Sequence, residues 1–434
     1  MKIMRMLNSD FVFLISCLTF AKVQNISKGL NFPYFLAKRA TSGKRTFSGL
    51  IVRVAIGAIA LGVAAMILSI AVLRGFKGEI TAKQRGFFGD VVLSNYDLNV
   101  SYEPTPFTLS ASEVAEVKNL RGVSSLRYFA TKPGIINVNN EVEGVLLKGI
   151  DATYDPSFLN ELLVAGQPID FSDSTRAMEQ ILISQYTANR LQLAVGDDFI
   201  MYFVQEPVRR RKFEIAGIYH TGVEELDKTY VVGSISLIRR LNDWKEGEVG
   251  GYEVSIDNFN KLAEMTVEIQ DLLPIEVDAV NVRDQLPEIF QWLDLLDVNT
   301  VIILILMMVV ATVNMISALL IIILERTSMI GLLKALGYTD GGIRKIFLYQ
   351  AAYLIGLGLL FGNLLGGGLY AFQNQTRYFK LDEASYYVSY IPVDINVLDV
   401  VLLNAGVVAV ILAVLLIPSY LISKISPIKA IQFQ

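Results

Sequence analysis

Apolar and polar positions are distributed very unevenly along this chain. Long uncharged runs fill residues 54–73, 301–324, 346–372 and, apart from Asp399, 398–420, while the stretch between the first two has ordinary mixed patterning. Crossing a hydrocarbon core takes roughly 20 apolar residues, so each run predicts a membrane-spanning helix. The first is rich in Gly57, Ala58, Ala60, Gly62, Ala64 and Ala65, small residues that let helices approach closely in lipid. The second is interrupted by Asn314 and Ser317, the third by Gln350, Asn363 and the triplet Gly366-Gly367-Gly368. The fourth carries Asp399 near one end and Asn404 about one turn deeper.

The mixed stretch alternates short β-rich runs with helical ones. Strands are expected at 91–93, 134–138, 144–150, 181–183, 199–203, 213–218, 230–232 and 251–256, and Asn139-Asn140 fits a tight hairpin turn. Helices are expected at 112–120, 184–193, 234–241, 261–273 and 286–298. This predicts an α+β module of two subdomains, carried on helical stalks that continue from the first and second spans. The fold class is therefore a four-helix membrane protein in a 1 + 3 arrangement with a large α+β extracytoplasmic domain.

Composition supports this picture. Of 434 residues, 53% are hydrophobic and only 18% charged, against roughly 25% charged in soluble domains. An ordinary soluble enzyme and a disordered chain are both excluded. The single Cys17 rules out an internal disulfide, and the single His220 argues against His-based metal sites and proton shuttles. Charge is polarised: residues 1–74 carry +9, residues 75–298 carry -15 and residues 299–434 carry +2. Seven basic residues and no acid lie between Lys22 and Arg53, basic residues dominate 325–345 and the tail, and acids outnumber bases in 373–396. The excess of Lys and Arg on cytoplasmic flanks places both termini in the cytoplasm and the acidic domain on the outside of the membrane.

Ten segments follow: an N-terminal extension 1–30; an interfacial helix 31–49, starting at Asn31-Phe32-Pro33; the spans 50–74, 299–324, 346–372 and 397–421; the outer domain 75–298; a cytoplasmic helix within 325–345; an outer loop 373–396; and a tail 422–434. Leu14-Ile15-Ser16-Cys17 is a relaxed lipobox, but cleavage there would put the basic 22–53 stretch outside, so an upstream start or short interfacial helix fits better.

No catalytic constellation is visible. His220 reads as a loop residue, and Asp197-Asp198 as a turn. Trp292 reads as an anchor at the outer interface. Arg209-Arg210-Arg211-Lys212 reads as the solvated tip of a hairpin, with binding of phosphate or lipid headgroups as the alternative. The nearest approach to a phosphate-binding loop, Ser42-Gly43-Lys44-Arg45, lacks the first Gly and the final hydroxyl, so ATP binding is not expected in this chain. The spans hold no paired buried carboxylates for proton coupling. Any active work needs a partner ATPase. Its docking point is expected at 327–336, a short helix displaying Met329, Ile330, Leu332, Leu333 and Leu336 and stopped by Gly337; the alternative is a helix lying on the membrane interface.

Here residues resemble a known family. Glu325-Arg326-Thr327-Ser328-Met329-Ile330-Gly331-Leu332-Leu333-Lys334-Ala335-Leu336-Gly337 is similar to the signature E-R-T-x-E-I-G-L-L-x-A-L-G of FtsX-like permeases, with Met329 in place of the usual acid. Ser426-Pro427-Ile428-Lys429-Ala430 resembles the family's closing motif. Asn31 to Arg39 and the first span resemble the lipoprotein-releasing (Lol-type) branch; 183–197 and 213–217 resemble the outer domain that this branch shares with MacB-type exporters. The resemblance implies a non-catalytic permease subunit, paired with a second permease subunit, identical or not. A separate ABC ATPase would bind the ATP and Mg, with Glu325, Arg326 and the 329–337 residues coupling to it. It further implies extraction of lipoproteins from the inner membrane, membrane lipid contacts, a possible periplasmic carrier and no nucleic acid. In carrier-docking Lol subunits a long hook projects where this chain has only 204–212, so either this subunit docks no such carrier or Glu206, Pro207, Arg209, Arg210 and Arg211 contact a periplasmic partner differently. The alternatives are a MacB-like exporter, an FtsX-like mechanotransmitter acting on a periplasmic partner, or a stand-alone membrane-anchored binding protein.

Overall fold

The computed structural model describes residues 48–97, 102–139, 141–154 and 156–420, together with Pro33. The N-terminal extension, all but the end of the expected interfacial helix, and the closing motif lie outside the described residues. Two compact units emerge. One comprises the membrane helices (residues 1–69, 301–369 and 396–434) and the other the outer domain (70–300 and 370–395).

Five helices build the membrane unit: α1 (Ser48–Phe88), α2 (Pro287–Glu325), α3 (Thr327–Ala335), α4 (Asp340–Thr376) and α5 (Val397–Ser419). All but α3 are long and apolar enough to cross a membrane. Within this unit α4 meets α1 through one glycine face. A Cβ added at Gly358 would lie 2.6 Å from the Ile59 side chain, at Gly362 2.7 Å from that of Val63, and at Gly366 3.2 Å from the Ala64 Cα. These glycines recur every four residues, one face of a helix, and in lipid such close backbone approach substitutes for a hydrophobic driving force. The triplet flagged in the sequence contributes only its first member, since nothing lies within 4 Å of Gly367 or Gly368. On another face of α4, Asn363 and Asn404 of α5 exchange side-chain amide hydrogen bonds of 2.8 and 2.9 Å. Each amide also donates to a backbone carbonyl four residues earlier, so two polar groups at membrane depth are paired.

The outer domain holds strands β1 (Val91–Asn95), β2 (Val123–Val138), β3 (Glu141–Ile150), β4 (Leu163–Gly166), β5 (Gln180–Ser184), β6 (Asp198–Phe203), β7 (Arg209–Tyr219), β8 (Tyr230–Ser234), β9 (Gly251–Ile256) and β10 (Val277–Asn281). Their order is β10-β1-β9-β2-β3-β8-β5-β7-β4, with β6 paired to both β2 and β7. The long β2 joins two subdomains: its first half pairs with β9, its second with β3 and β6. Only residues 134–138 of it were legible in the sequence. Arg127, Lys132 and Pro133 disguise the rest, because Arg127 and Lys132 are buried in ion pairs with Glu253 and Glu103. The expected helix 286–298 is the start of α2, as nothing between Val298 and Val301 breaks the helix.

Residues 370–395 fold onto the outer domain as a strap. Asp394 N–H donates to the Ala71 carbonyl, Lys83 donates to the Tyr387 carbonyl, and Trp292 packs edge-on against Tyr387 at 6.0 Å. Trp292 is thus a packing residue of the domain. The outer stretches of α1 and α2 are joined by Lys77 to Asp297 at 2.6 Å and to Asp294 at 3.4 Å.

Replacing Gly362 by Leu should force α4 off α1 and destabilise the protein by about 1–3 kcal/mol, the usual cost of overpacking. Gly367→Leu, with open space around it, should be near neutral. Thermal unfolding in detergent would compare them, and equal melting temperatures would overturn the packing argument.

Candidate functional site

Three places were singled out by chemistry or by the fold: the short helix α3, the β6–β7 hairpin and the outer end of α1. At the first, α2 ends because Arg326 leaves helical geometry, with φ near -102° and ψ near 16°. Thr327 then starts α3, its hydroxyl donating to the Leu324 carbonyl at 2.7 Å. The far end closes as a left-handed glycine cap: Gly337 has φ +83°, its N–H donates to the Lys334 carbonyl, and Tyr338 N–H donates to the Leu333 carbonyl. Thr339 Oγ1 receives Gly342 N–H at the start of α4, and Lys334 bonds Asp340 at 3.0 Å across the turn. Residues 326–339 therefore form a defined connection, built on a nine-residue helix, between two long apolar helices.

The sequence-predicted contact residues do not all face outward. Ile330 is fully buried and Gly331 is buried, so this side of α3 is an anchor into its own unit. Arg326, Met329, Leu332 and Leu333 are half-buried, whereas Glu325, Leu336 and Gly337 are exposed, Leu336 at 51%. The periodicity marked an amphipathic helix correctly but could not decide which apolar side chains the protein covers itself.

At the hairpin, the basic run is strand and not tip. Arg209, Arg210, Arg211 and Lys212 pair with Phe203, Tyr202, Met201 and Ile200, leaving only residues 204–208 as the connection. The backbone ladder runs on through these charged positions because their side chains alternate off it toward water. Arg209 is committed internally: it donates to the Leu241 and Arg240 carbonyls and pairs with Asp243 at 2.8 Å, securing the C-terminal end of the helix Ile235–Leu241. Lys212 pairs with Asp198 at 2.6 Å. Glu206, Pro207 and Arg210 are exposed beside Val204 and Val208, and Arg211 is half-exposed. His220 sits in a loop, its Nδ1 2.9 Å from the buried Asp227 carboxylate, which also accepts from the Thr221 N–H and hydroxyl. Among the described residues no group of three or more His, Cys, Asp and Glu side chains could hold a metal ion.

The third place was missed from sequence. The last carbonyls of α1 are held by a buried charge cluster. Lys148 on β3 donates to the Phe87 carbonyl and pairs with Glu253 on β9 at 2.5 Å. Tyr154 donates to the Gly86 and Phe87 carbonyls at 3.2 Å. Arg127 on β2 lies 3.7 Å from Glu253 and stacks over the Tyr154 ring at 4.4 Å. Beside them Arg85 pairs with the buried Asp90 and donates to the Ile256 carbonyl, while Asp90 accepts the Ile256 N–H at 2.7 Å. Burial lowers the pKa of Lys148, against which Glu253 pulls it back up, and burial holds the Tyr154 hydroxyl well above its ordinary range. The sequence signal was a lone charge within an apolar run, Lys148 between Leu147 and Gly149 in β3 and Glu253 between Tyr252 and Val254 in β9.

Lys148→Met should leave Glu253 buried with one charged partner fewer and destabilise the outer domain by about 3–5 kcal/mol. Adding Arg127→Met and Glu253→Met, which removes the remaining charges of the cluster, should recover a large part of that loss. Denaturant unfolding of the full chain measures both, and purely additive losses would count against a coupled cluster.

Known proteins agree with this architecture. Residues 54–272 match the MacB-like periplasmic core domain and residues 301–427 the FtsX-like permease C-terminal domain. The lipoprotein-releasing system transmembrane protein LolC of Neisseria meningitidis serogroup B is 25% identical over 426 residues, covering 93% of this chain and 98% of that protein. LolE of Haemophilus influenzae is 19% identical over 426 residues, covering 93% and 99%. The solved periplasmic region of MacB from Actinobacillus actinomycetemcomitans is 15% identical with a TM-score of 0.33, covering 48% of this chain and 95% of that one. With residues 54–272 and 301–427 matched by these two family models, the chain belongs to the FtsX-like permeases that carry a MacB-like periplasmic core domain.

Proposed function

We propose that this chain is the non-catalytic transmembrane subunit of an ABC-type complex that releases lipoproteins from the inner membrane. The observation that carries the reading is α3: a short helix, capped at Gly337 and anchored by Ile330, that presents Leu336 outward between two spanning helices. A separate ATPase binds ATP and Mg and seats α3 in a groove, with Glu325, Arg326, Met329, Leu332, Leu333 and Leu336 at or near the contact. The basic flanks favour cytoplasmic termini and a periplasmic outer domain. The Lol-named relatives, matched along nearly their whole length, support lipoprotein as the cargo and a second permease subunit, identical or not, as partner.

Movement imposed at α3 passes into α2 and α4, which it joins. Both α1 and α2 run without interruption from their apolar segments into the outer domain, and the Lys148–Glu253 cluster grips the last carbonyls of α1. The outer domain is thereby positioned to respond to ATP-driven motion without substrate passing through the chain. The five-residue connection 204–208 favours a second reading in one respect. It leaves no room for a projecting hook, so this subunit hands cargo to a carrier by another surface, leaves carrier docking to its partner permease, or drives a periplasmic enzyme as a mechanotransmitter.

Mild-detergent affinity purification with mass spectrometry tests the reading. Co-purification of an ATPase with acylated lipoproteins supports lipoprotein release; an ATPase with a periplasmic hydrolase supports mechanotransmission; a folded chain retaining no ATPase overturns both. In the reconstituted complex, Leu336→Glu should lower cargo-stimulated ATP hydrolysis by about tenfold or more, since a buried unpaired carboxylate costs several kcal/mol at an interface, while membrane insertion stays intact. Unchanged ATPase activity in that variant would remove α3 from the coupling contact.

A further inference from the structure

Within the outer domain a half-open cavity of about 300 Å³ lies between α1 and the strap, lined by Arg74 and Glu79 of α1, Arg377 just past the end of α4, and Tyr390 and Asp394 of the strap. Its opening is built into the backbone. Gly78 lines it with open space around the position of a Cβ, and Gly75 allows α1 to touch the Pro392 carbonyl. Its frame is fixed as well: the buried Gln373 bonds the Phe379 and Ile391 carbonyls and accepts the Phe379 N–H, closing the strap on itself. The Arg377 guanidinium lies 4.4 Å over the Tyr390 ring.

Position and charge together point to one kind of occupant. Arg74 directly follows Leu73, and Gln373 directly follows Phe372, the last residues of two apolar runs, so the cavity begins where hydrocarbon ends. Next to it Phe372, Tyr378 and Phe379 are exposed and in mutual ring contact at 5.8 and 5.3 Å, an aromatic cluster of the kind found at headgroup depth. The lining carries two guanidinium groups and two carboxylates. A simple anion would meet the arginines but also the carboxylates, and a cation the reverse. A zwitterion carrying a phosphate and a primary ammonium satisfies both pairs, the phosphate at Arg74 and Arg377 and the ammonium at Glu79 and Asp394. The size lies at the lower end for small-ligand cavities, enough for a headgroup and too small for a folded segment.

We infer that this cavity binds the headgroup of a zwitterionic, phosphatidylethanolamine-type phospholipid from the outer leaflet. Its placement at the outer face rests on the topology proposed above; its chemistry does not depend on lipoprotein being the cargo. Such a lipid would pin the strap to α1 at the level of the bilayer surface.

The test uses the full chain with its co-purifying partners, reconstituted in nanodiscs of equimolar phosphatidylethanolamine and phosphatidylglycerol, followed by native mass spectrometry of lipids that survive detergent washing. Phosphatidylethanolamine should be retained in preference. Arg74→Gln and Arg377→Gln should each weaken retention by about fivefold, as expected for one interfacial cation. Glu79→Gln with Asp394→Asn should keep lipid but abolish the preference over phosphatidylglycerol. Melting temperatures of all variants serve as the folding control. Equal retention of both lipids by the native protein, or retention unchanged in the arginine variants, would overturn the inference. Displacement by soluble glycerophosphoethanolamine at matching concentration would reassign the site to a free phosphoester and overturn the lipid. Separately, Asn374→Cys in a Cys17→Ser background should react with a membrane-impermeant maleimide from the periplasmic side. Reaction only from the cytoplasmic side would overturn the topology, while the lipid preference would still be read independently.

Discussion

A helix that leaves the membrane and ends inside a folded domain has to find partners for its last carbonyls, and everything outside the bilayer in this protein is arranged around that requirement. The final four carbonyls of any α-helix lack intrahelical donors, and burying them unpaired costs on the order of 1–3 kcal/mol each. At the end of α1 the donors come from across the sheet, Lys148 on β3 to the Phe87 carbonyl and Tyr154 after it to the Gly86 and Phe87 carbonyls, while Arg85 of the helix itself donates outward to the Ile256 carbonyl of β9. Because Lys148 also pairs with Glu253, and Glu253 with Arg127 on β2, the end of one helix is tied to three adjacent strands at once. Replacing the cluster with apolar residues of similar size could well be neutral for stability. Its presence is better explained by the directional bonds it makes to a helix end than by the free energy it adds.

The membrane unit solves a different problem, since no water drives its helices together. Close backbone approach at Gly358, Gly362 and Gly366 maximises dispersion contacts between α4 and α1, and the Asn363–Asn404 pair adds direction between α4 and α5. The two devices differ in what they tolerate. A glycine face permits sliding along the contact, whereas a reciprocal amide pair has one register. Helix α4 is thus held in register with α5 by directional bonds, while its contact with α1 rests on close packing alone.

Much of this was legible from residue patterning, and what was not follows a rule. The four spanning helices were visible because charge is absent over lengths that only a bilayer requires, and the end of α3 was visible because Gly337 supplies the positive φ of the cap. Strand β2 was largely lost and the cluster on α1 wholly lost for one reason. Arg127, Lys132, Lys148 and Glu253 are charged residues in the interior, and sequence reasoning assigns charge to the surface. Their partners lie 29 to 126 residues away, so no local window shows that each is paired. The same limit misplaced the arginine run: charge said turn, while backbone pairing with Phe203 through Ile200 made it strand. At α3 the pattern named the right helix but placed Ile330 in the outward set, because Ile330 and Leu336 are equally apolar and only the fold distinguishes a covered side chain from an exposed one.

The two ends of the proposed transmission line are built to different stiffness. Helix α3 is short, its exits are a residue out of helical geometry at Arg326 and a glycine cap at Gly337, and the ion pair from Lys334 reaches a half-exposed Asp340. Pairs of that kind contribute at most about 1 kcal/mol, so the turn can reorient at small cost. The outer end of α1 is held by buried charges and by several directional bonds to separate strands, which cannot loosen singly without exposing an unpaired charge. A compliant input and a rigid output is the arrangement in which displacement of α3 is carried along the helices and is not dissipated in the outer domain. On the function proposed above, that asymmetry is what would let the fold convert the work of a partner into movement of the outer domain.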